Sequence, residues 1–385
     1  MLTIKGKYNS ANIMIDELDQ ETISQIYSFL NHPAFAHTYI AIMSDCHKGA
    51  GAVIGYTAKM NNYIIPEVVG VDIGCGVNAY PLTGIKSIDF TVLDNFIKRY
   101  IPSGFSIHSN DKIAAKSYDD SSNFARLSEV VNYTNQDMTK VLKAVGTLGG
   151  GNHFIEVDQT DSGDYWLLIH SGSRNFGLKV ATFYQNKAKD LMKSMFVGAD
   201  AYRGLEYLPL DNSVVKLGQD YLRDMQVAQE YASKNRRAMG EIILNSLFPS
   251  VSCSGIESVH NYINFEDNII RKGAISAHEG EKLVIPFNMR DGSIIATGKG
   301  NSKWNYSAPH GAGRVMSRRK AKESITVADF ENEMKGIFTT TANQSTIDEA
   351  PMAYKDKSLI VDAIGETVNI EFFMKPVYNY KSSGN

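Results

Sequence analysis

Three cysteines, Cys46, Cys75 and Cys253, are spread over 385 residues, and none forms a C-x-x-C pair. An odd, scattered set excludes a disulfide framework and a zinc ribbon. It fits a reducing compartment, so a cytoplasmic setting is expected. Cationic excess is missing too: 39 Lys and Arg face 42 Asp and Glu, a net charge of -3. A polyanion would have to be met by a local patch, because the field of the whole molecule does not attract one. No apolar run reaches the roughly 18 residues of a membrane span, and the opening MLTIKGKYNSANIM lacks the apolar centre of a signal peptide. Gly/Ser linkers, low-complexity tracts and internal repeats are absent, and there are only 10 prolines. These absences predict a soluble protein with no membrane partner, folded as a single domain over residues 1–385.

What is present is an ordinary globular composition, 43% hydrophobic and 21% charged with 31 glycines. Short apolar stretches predict strands at residues 38–43, 52–57, 63–71, 153–157 and 166–170, and again at 282–285, 293–297 and 367–374. Helical periodicity appears over 19–30, 181–195 and 219–248, where Tyr221, Met225, Ala228, Ala232, Met239, Ile242 and Leu247 form one stripe. Further helices are expected to start near Gly313 and to run over 326–338. The mixture predicts an α+β fold.

Polar residues gather where glycines do. In V-V-G-V-D-I-G-C-G a predicted strand ends in Asp72 and Cys75, which sets oxygen beside soft sulfur. Alone, that block reads equally well as a turn former beside a small buried thiol. G-G-G-N-H-F-I-E lacks the Lys-Ser/Thr ending of a P-loop and delivers Asn152, His153 and Glu156. W-L-L-I-H-S-G-S-R ends an apolar strand in His170, with Arg174 beyond a Ser-Gly-Ser turn, and S-V-H-N-Y presents His260 and Asn261. D-C-H-K-G pairs Asp45 with His47 in a turn, and in P-H-G-A-G-R-V-M-S-R glycines and cations follow His310. One carboxylate, one thiolate and three imidazoles suffice for two metal ions if the sulfur bridges them, and donor softness alone favours zinc. From the residues alone, His310 is either another ligand or a nucleophile.

Together with D-E-A-P-M-A-Y-K-D, these blocks stand in the order found in the RtcB family of GTP-dependent RNA ligases, which the chain resembles from about Ile40 to Lys381. The resemblance implies an RtcB-type fold whose β-sheets line a metal- and nucleotide-binding cleft. It implies two Mn²⁺ rather than zinc, one held by Asp72, Cys75 and His153 and the other by Cys75, His170 and His260. His310 would attack the α-phosphorus of GTP and carry a covalent GMP. Nucleotide contacts would fall on Asn152, His153, Phe154, Ile155 and Glu156, on His260 and Asn261, on Pro286, Phe287, Asn288, Met289 and Ser293, and on His310, Gly311, Ala312, Gly313 and Lys381. Glu156 would accept hydrogen bonds from guanine and so select GTP over ATP.

The implied reaction joins an RNA 3′-phosphate or 2′,3′-cyclic phosphate end to a 5′-hydroxyl end, in RNA repair or tRNA splicing, and it admits an activating protein partner. Arg174, Arg314 and Arg318 are the implied cations for RNA phosphates, the last two four residues apart on the expected helix. Four features depart from the family pattern: Pro286-Phe287-Asn288-Met289-Arg290 stands where many members have P-G-S-M-G, Asn175 replaces a glycine, Ser44 replaces a proline, and residues 382–385 follow the lysine. Two other readings use the same donors. A dinuclear metal-dependent phosphoesterase needs no nucleophilic His310, and a non-catalytic RNA-binding protein would keep the metal for structure.

Overall fold

A computed structural model describes residues 1–118, 121–195, 202–211 and 216–382. Helices and two large sheets mix along the chain, as an α+β fold requires. The six-stranded sheet runs in the order Leu2–Lys5, Ser10–Ile13, Ile40–His47, Ile54–Lys59, Ile269–Lys272 and Asn261–Asn264. Its neighbours are antiparallel except Ser10–Ile13 beside Ile40–His47. The seven-stranded sheet is antiparallel throughout, in the order Ile256–Val259, Gly76–Pro81, Tyr165–Ser171, Phe154–Thr160, Val368–Lys381, Gly292–Gly298 and Lys282–Asn288. The chain passes from one sheet to the other at His260, between Ile256–Val259 and Asn261–Asn264. That residue is therefore fixed at the seam between the sheets.

Two long helices, Arg174–Met195 and Leu217–Leu247, cover the same region. Phe176 and Tyr184 of the first pack on Tyr231 and Tyr221 of the second, ring centroids 5.0 and 5.2 Å apart. The apolar stripe read from the sequence is buried from Tyr221 to Met239; beyond it Ile243 and Leu244 take the inward places expected of Ile242 and Leu247. Among the polar residues on that inward face, Asn235 and Arg236 are fully buried. Asn235 accepts from the N–H groups of Gly146 and Thr147 at 2.8 and 3.0 Å and donates to the carbonyls of Thr147 and Gly172. Arg236 donates to the carbonyls of Gly74 and Ser171 at 2.6 and 2.8 Å and to Glu257 at 2.6 Å. The bonds of this pair go to loops and strands that carry or directly adjoin a candidate site residue. Buried polar groups satisfied to this degree fix one geometry for those loops.

Most expected elements are present with shifted ends. The helix at 19–30 is Gln20–Leu30, and Asp19 caps it through Thr22. The strand at 367–374 continues to Lys381. Three expectations are corrected. Residues 63–71 are not one strand: Tyr63–Ile64 is a two-residue strand, and Pro66 then opens the short helix Pro66–Val69. Proline has no N–H for a ladder and its fixed φ suits the first helical turn. Asp72 and Cys75 thus leave a helical turn rather than a strand. The helix expected near Gly313 begins at Arg318, capped by Ser317, and the one expected over 326–338 is Val327–Glu333. Four helices between Phe90 and Lys143 were not foreseen.

Candidate active site

Five donor side chains converge below the seam between the sheets. Cys75 stands just before the strand Gly76–Pro81 and is 2% exposed. Its Sγ lies 3.6 Å from His153 Nε2 and 3.2 Å from His170 Nε2. His170 ends an apolar strand, and its Nε2 is 3.3 Å from that of His260. Asp72 Oδ2 is 3.0 Å from His153 Nε2. All five expected metal donors therefore meet, with Cys75 at the centre of the set. Asp72 reaches the set through His153, and His260 through His170.

Tautomers follow from the partners of the other ring nitrogens. His153 Nδ1 lies 2.8 Å from the Leu148 carbonyl and His170 Nδ1 3.1 Å from that of Asn152. A carbonyl only accepts, so both Nδ1 atoms carry hydrogen, and His170 presents the lone pair of Nε2 toward Cys75. Burial lowers His170 and His260 well below the ordinary imidazole range, and keeps them neutral, the form that ligates metal. Burial and the charge of Asp72 raise the Cys75 thiol; burial would raise Asp72 as well, but the bond and charge of His153 outweigh it and hold Asp72 at about 2. A thiolate and an imidazole nitrogen sharing one tetrahedral ion stand roughly 3.5 Å apart, close to the two sulfur–nitrogen separations here. Cys75, His153 and His170 are a buried group able to hold a metal ion.

Beside this cluster lies His310, whose ring centroid is 4.7 Å from that of His260. Its Nδ1 is 2.5 Å from Asp45 Oδ2, and the same oxygen accepts from its backbone N–H at 3.1 Å. Asp45 is fully buried in the strand Ile40–His47, within the register shift that separates Ile42 from His47. Such an irregularity turns a side chain out of the ladder. Lys355 grips the carbonyls on either side of it, those of Ser44 and Cys46, at 3.2 and 2.8 Å. Gly313, at φ 74°, passes directly over the Asp45 backbone, where any Cβ would collide. Gly313 thus serves the approach to Asp45. With Nδ1–H committed to a carboxylate, Nε2 is the nitrogen of His310 that keeps its lone pair.

Both groups open into a cleft of about 1110 Å³ lined from the two sheets. Among the expected nucleotide contacts, Asn152, Phe154, Glu156, His260, Asn261, the segment Pro286 to Met289, the segment His310 to Gly313 and Lys381 line it. The pleat begins at Phe154, so Phe154 and Glu156 face the cleft while Ile155 faces the hydrophobic core. Ser293 is fully buried and donates to Asp158, away from the cleft lining. Lys381 Nζ bonds the Asn152 carbonyl at 2.9 Å and Glu349 at 3.0 Å.

The expected RNA cations are placed differently from the sequence reading. Arg174 starts its helix at φ 57° and turns inward, where it donates to Thr147 Oγ1 and the Gly104 carbonyl at 3.0 and 2.7 Å. It is not part of the cleft lining. Arg314 precedes the helix rather than lying on it; it pairs with Glu349 at 3.1 Å, and Arg318 pairs with Asp348 at 2.8 Å. Both do line the cleft. Burial would raise Glu349, but Lys381, Arg318 and Arg314 together drive it far down. Sequence reasoning gave no task to Asp45, Asn235, Arg236, Glu349 or Lys355. Polar residues on an apolar helical stripe were the available signal for Asn235 and Arg236. For Glu349 and Lys355 nothing but the D-E-A-P-M-A-Y-K-D block pointed there.

The sequence matches the tRNA-splicing ligase RtcB family over residues 25–382. This chain belongs to the RtcB family. Among its relatives, an RNA-splicing ligase RtcB of Escherichia coli is 32% identical over 89% of this chain and 90% of its own. A tRNA-splicing ligase RtcB of Aeropyrum pernix is 28% identical, covering 83% of this chain and 82% of its own. One from Thermococcus kodakarensis, 24% identical, extends over 98% and 94%. The family match spans every RtcB block described above, from Asp45 to Lys381. Among the described residues, no helix is long and apolar enough to cross a membrane.

Proposed function

We propose that this protein is an RNA ligase that joins RNA 3′-phosphate or 2′,3′-cyclic phosphate ends to 5′-hydroxyl ends, using GTP and two Mn²⁺ and acting as one domain. The observation that carries the reading is the Asp45–His310 pair, which frees Nε2 beside a five-donor cluster at the bottom of a nucleotide-sized cleft. Asp72, Cys75 and His153 would hold one ion, and Cys75, His170 and His260 the other. Bound there, the ions neutralise the triphosphate and the charge of the departing pyrophosphate.

His310 Nε2 attacks the α-phosphorus of GTP, the bond to the β-phosphate oxygen breaks, and pyrophosphate leaves. Asp45 accepts the Nδ1–H bond throughout and stabilises the positive ring as it forms. GMP then passes from nitrogen to the RNA 3′-phosphate, which regenerates His310. The 5′-hydroxyl attacks that phosphate, GMP departs, and a phosphodiester remains; a cyclic phosphate is first opened by water. Glu156 reads guanine, and Arg314 and Arg318 supply positive charge on the wall beyond His310.

Incubation with α-labelled GTP and Mn²⁺ tests the reading. An acid-labile phosphoramidate label on the protein is expected, followed by its transfer to an RNA bearing a 3′-phosphate. Metal-dependent phosphate release without any labelled protein would favour a phosphoesterase instead. Asp45→Asn should slow labelling by about 10³-fold with folding preserved, because an amide neither holds the ring tautomer nor balances its charge. An unchanged labelling rate in that variant would remove Asp45 from the reaction.

A further inference from the structure

Behind Glu156 the cleft wall carries a second acid that the reaction above leaves without a task. Glu156 and Asp158 alternate on the strand Phe154–Thr160, so they share one face, and their carboxyl groups lie within hydrogen-bonding range of each other. Glu156 reaches the cleft, whereas Asp158 is fully buried behind it. Each has one donor: Asn379 Nδ2 donates to Glu156 Oε2 at 2.5 Å, and Ser293 Oγ donates to Asp158 Oδ2. The other oxygen of Asp158, Oδ1, is buried with no donor.

The facing elements do not fill that gap. The strand Tyr165–Ser171 sets Leu168 and Trp166 opposite the pair, with His170 one position further, opposite Phe154. The strand Val368–Lys381 sets Asn379 and Pro376 opposite them. Lys381 is the charged group that faces the pair from that strand, and it is committed to Glu349 and the Asn152 carbonyl. A proton on Glu156 would give the two carboxyl groups a hydrogen bond that no facing group supplies. Burial and the charge of Asp158 push Glu156 well up, while Ser293 and Glu156 restrain the rise that burial gives Asp158.

The direction of that proton matters for a purine. Guanine offers two N–H donors at N1 and N2, which a carboxylate accepts; adenine offers a donor at N6 beside an acceptor at N1, which suits a neutral carboxyl with its O–H turned outward. We propose that Asp158 is a positioning residue for guanine selection: it holds the proton of Glu156 inward in the nucleotide-free protein, and that proton passes to solvent when Glu156 accepts a guanine edge. The assignment rests on the reading of Glu156 as the guanine acceptor.

Calorimetric titration with GTP in two buffers of different protonation enthalpy counts the proton. Wild type is expected to release close to one proton more than Asp158→Asn, whose amide donates to Glu156 and lets it stay ionised. Below the ionisation of the pair, GTP affinity of wild type should fall by up to about tenfold per pH unit relative to the variant. The sign follows from binding to the ionised form: protonation at low pH competes with guanine. The difference between the two proteins isolates the pair, since every other group is common to both. Ser293→Ala, which removes a donor from Asp158, should move the loss of affinity to higher pH. Equal proton counts in wild type and Asp158→Asn, with no shift in Ser293→Ala, overturn the role of Asp158. If Glu156→Gln binds GTP as tightly as wild type does, the reading of Glu156 itself falls and takes the proposal with it.

Discussion

His310→Ala should take up no GMP from labelled GTP, and its RNA-joining rate should fall by at least about 10⁴-fold, in the range found when a covalent nucleophile is deleted. The argument is one of geometry. Of the imidazoles lining this cleft, His310 is the one with a carboxylate on Nδ1, and its ring lies tilted with its centroid 4.7 Å from that of His260, without joining the sulfur-centred set. His153 and His170 have backbone carbonyls on Nδ1 and Cys75 before Nε2, an arrangement that suits a ligand and leaves no room for attack on phosphorus. Loss of fold is not the cause of the expected inactivity. The ring is partly exposed, and its removal leaves Asp45 Oδ2 still bonded to the backbone N–H of residue 310. One lost hydrogen bond to a buried carboxylate costs about 1–3 kcal/mol, which denaturant unfolding of the variant would measure. A variant that still acquires acid-labile label places the nucleophile elsewhere, and the ligase mechanism written above does not survive that result.

How much of this was legible in the sequence depends on the kind of signal each residue emits. The donor set was legible because Asp72, Cys75, His153, His170 and His260 each sit at a glycine or an apolar junction, where an unpaired polar group needs a reason. Their convergence was not, because it depends on His260 standing where the chain crosses between two sheets. Strand boundaries came out well wherever apolar runs were continuous, and badly at 63–71, where Pro66 outweighs the hydrophobicity around it. Arg314 and Arg318 looked like one helical face by spacing, yet Ser317 caps the helix between them and separates the two. Asp45 was visible only as a turn former. Its task depends on a register shift and on Gly313 passing over its backbone, both of which are tertiary facts.

The second large effect belongs to Cys75. Cys75→Ala should lose both metal ions, whereas Asp72→Asn and His260→Ala should each weaken one site and spare the other. Manganese counts by elemental analysis and the Mn²⁺-dependent rise in unfolding temperature read this out. The reason is position: a single buried sulfur lies 3.6 Å from His153 and 3.2 Å from His170, so it is the donor that the two halves of the cluster share. Without a cation the thiol is pushed well up by burial and by Asp72; a bound divalent ion would reverse that preference and favour the thiolate as a ligand. Ligand at 100 times its dissociation constant stabilises a fold by about 2.7 kcal/mol per site. Wild type should therefore gain several degrees on adding Mn²⁺, and Cys75→Ala none. In the metal-free state the substitution removes a small buried group with no donor obligation to the backbone, so the two proteins should unfold within about 1 kcal/mol of each other. A full Mn²⁺ response in Cys75→Ala would mean that the imidazoles and Asp72 suffice for both ions, and the bridging assignment would be wrong.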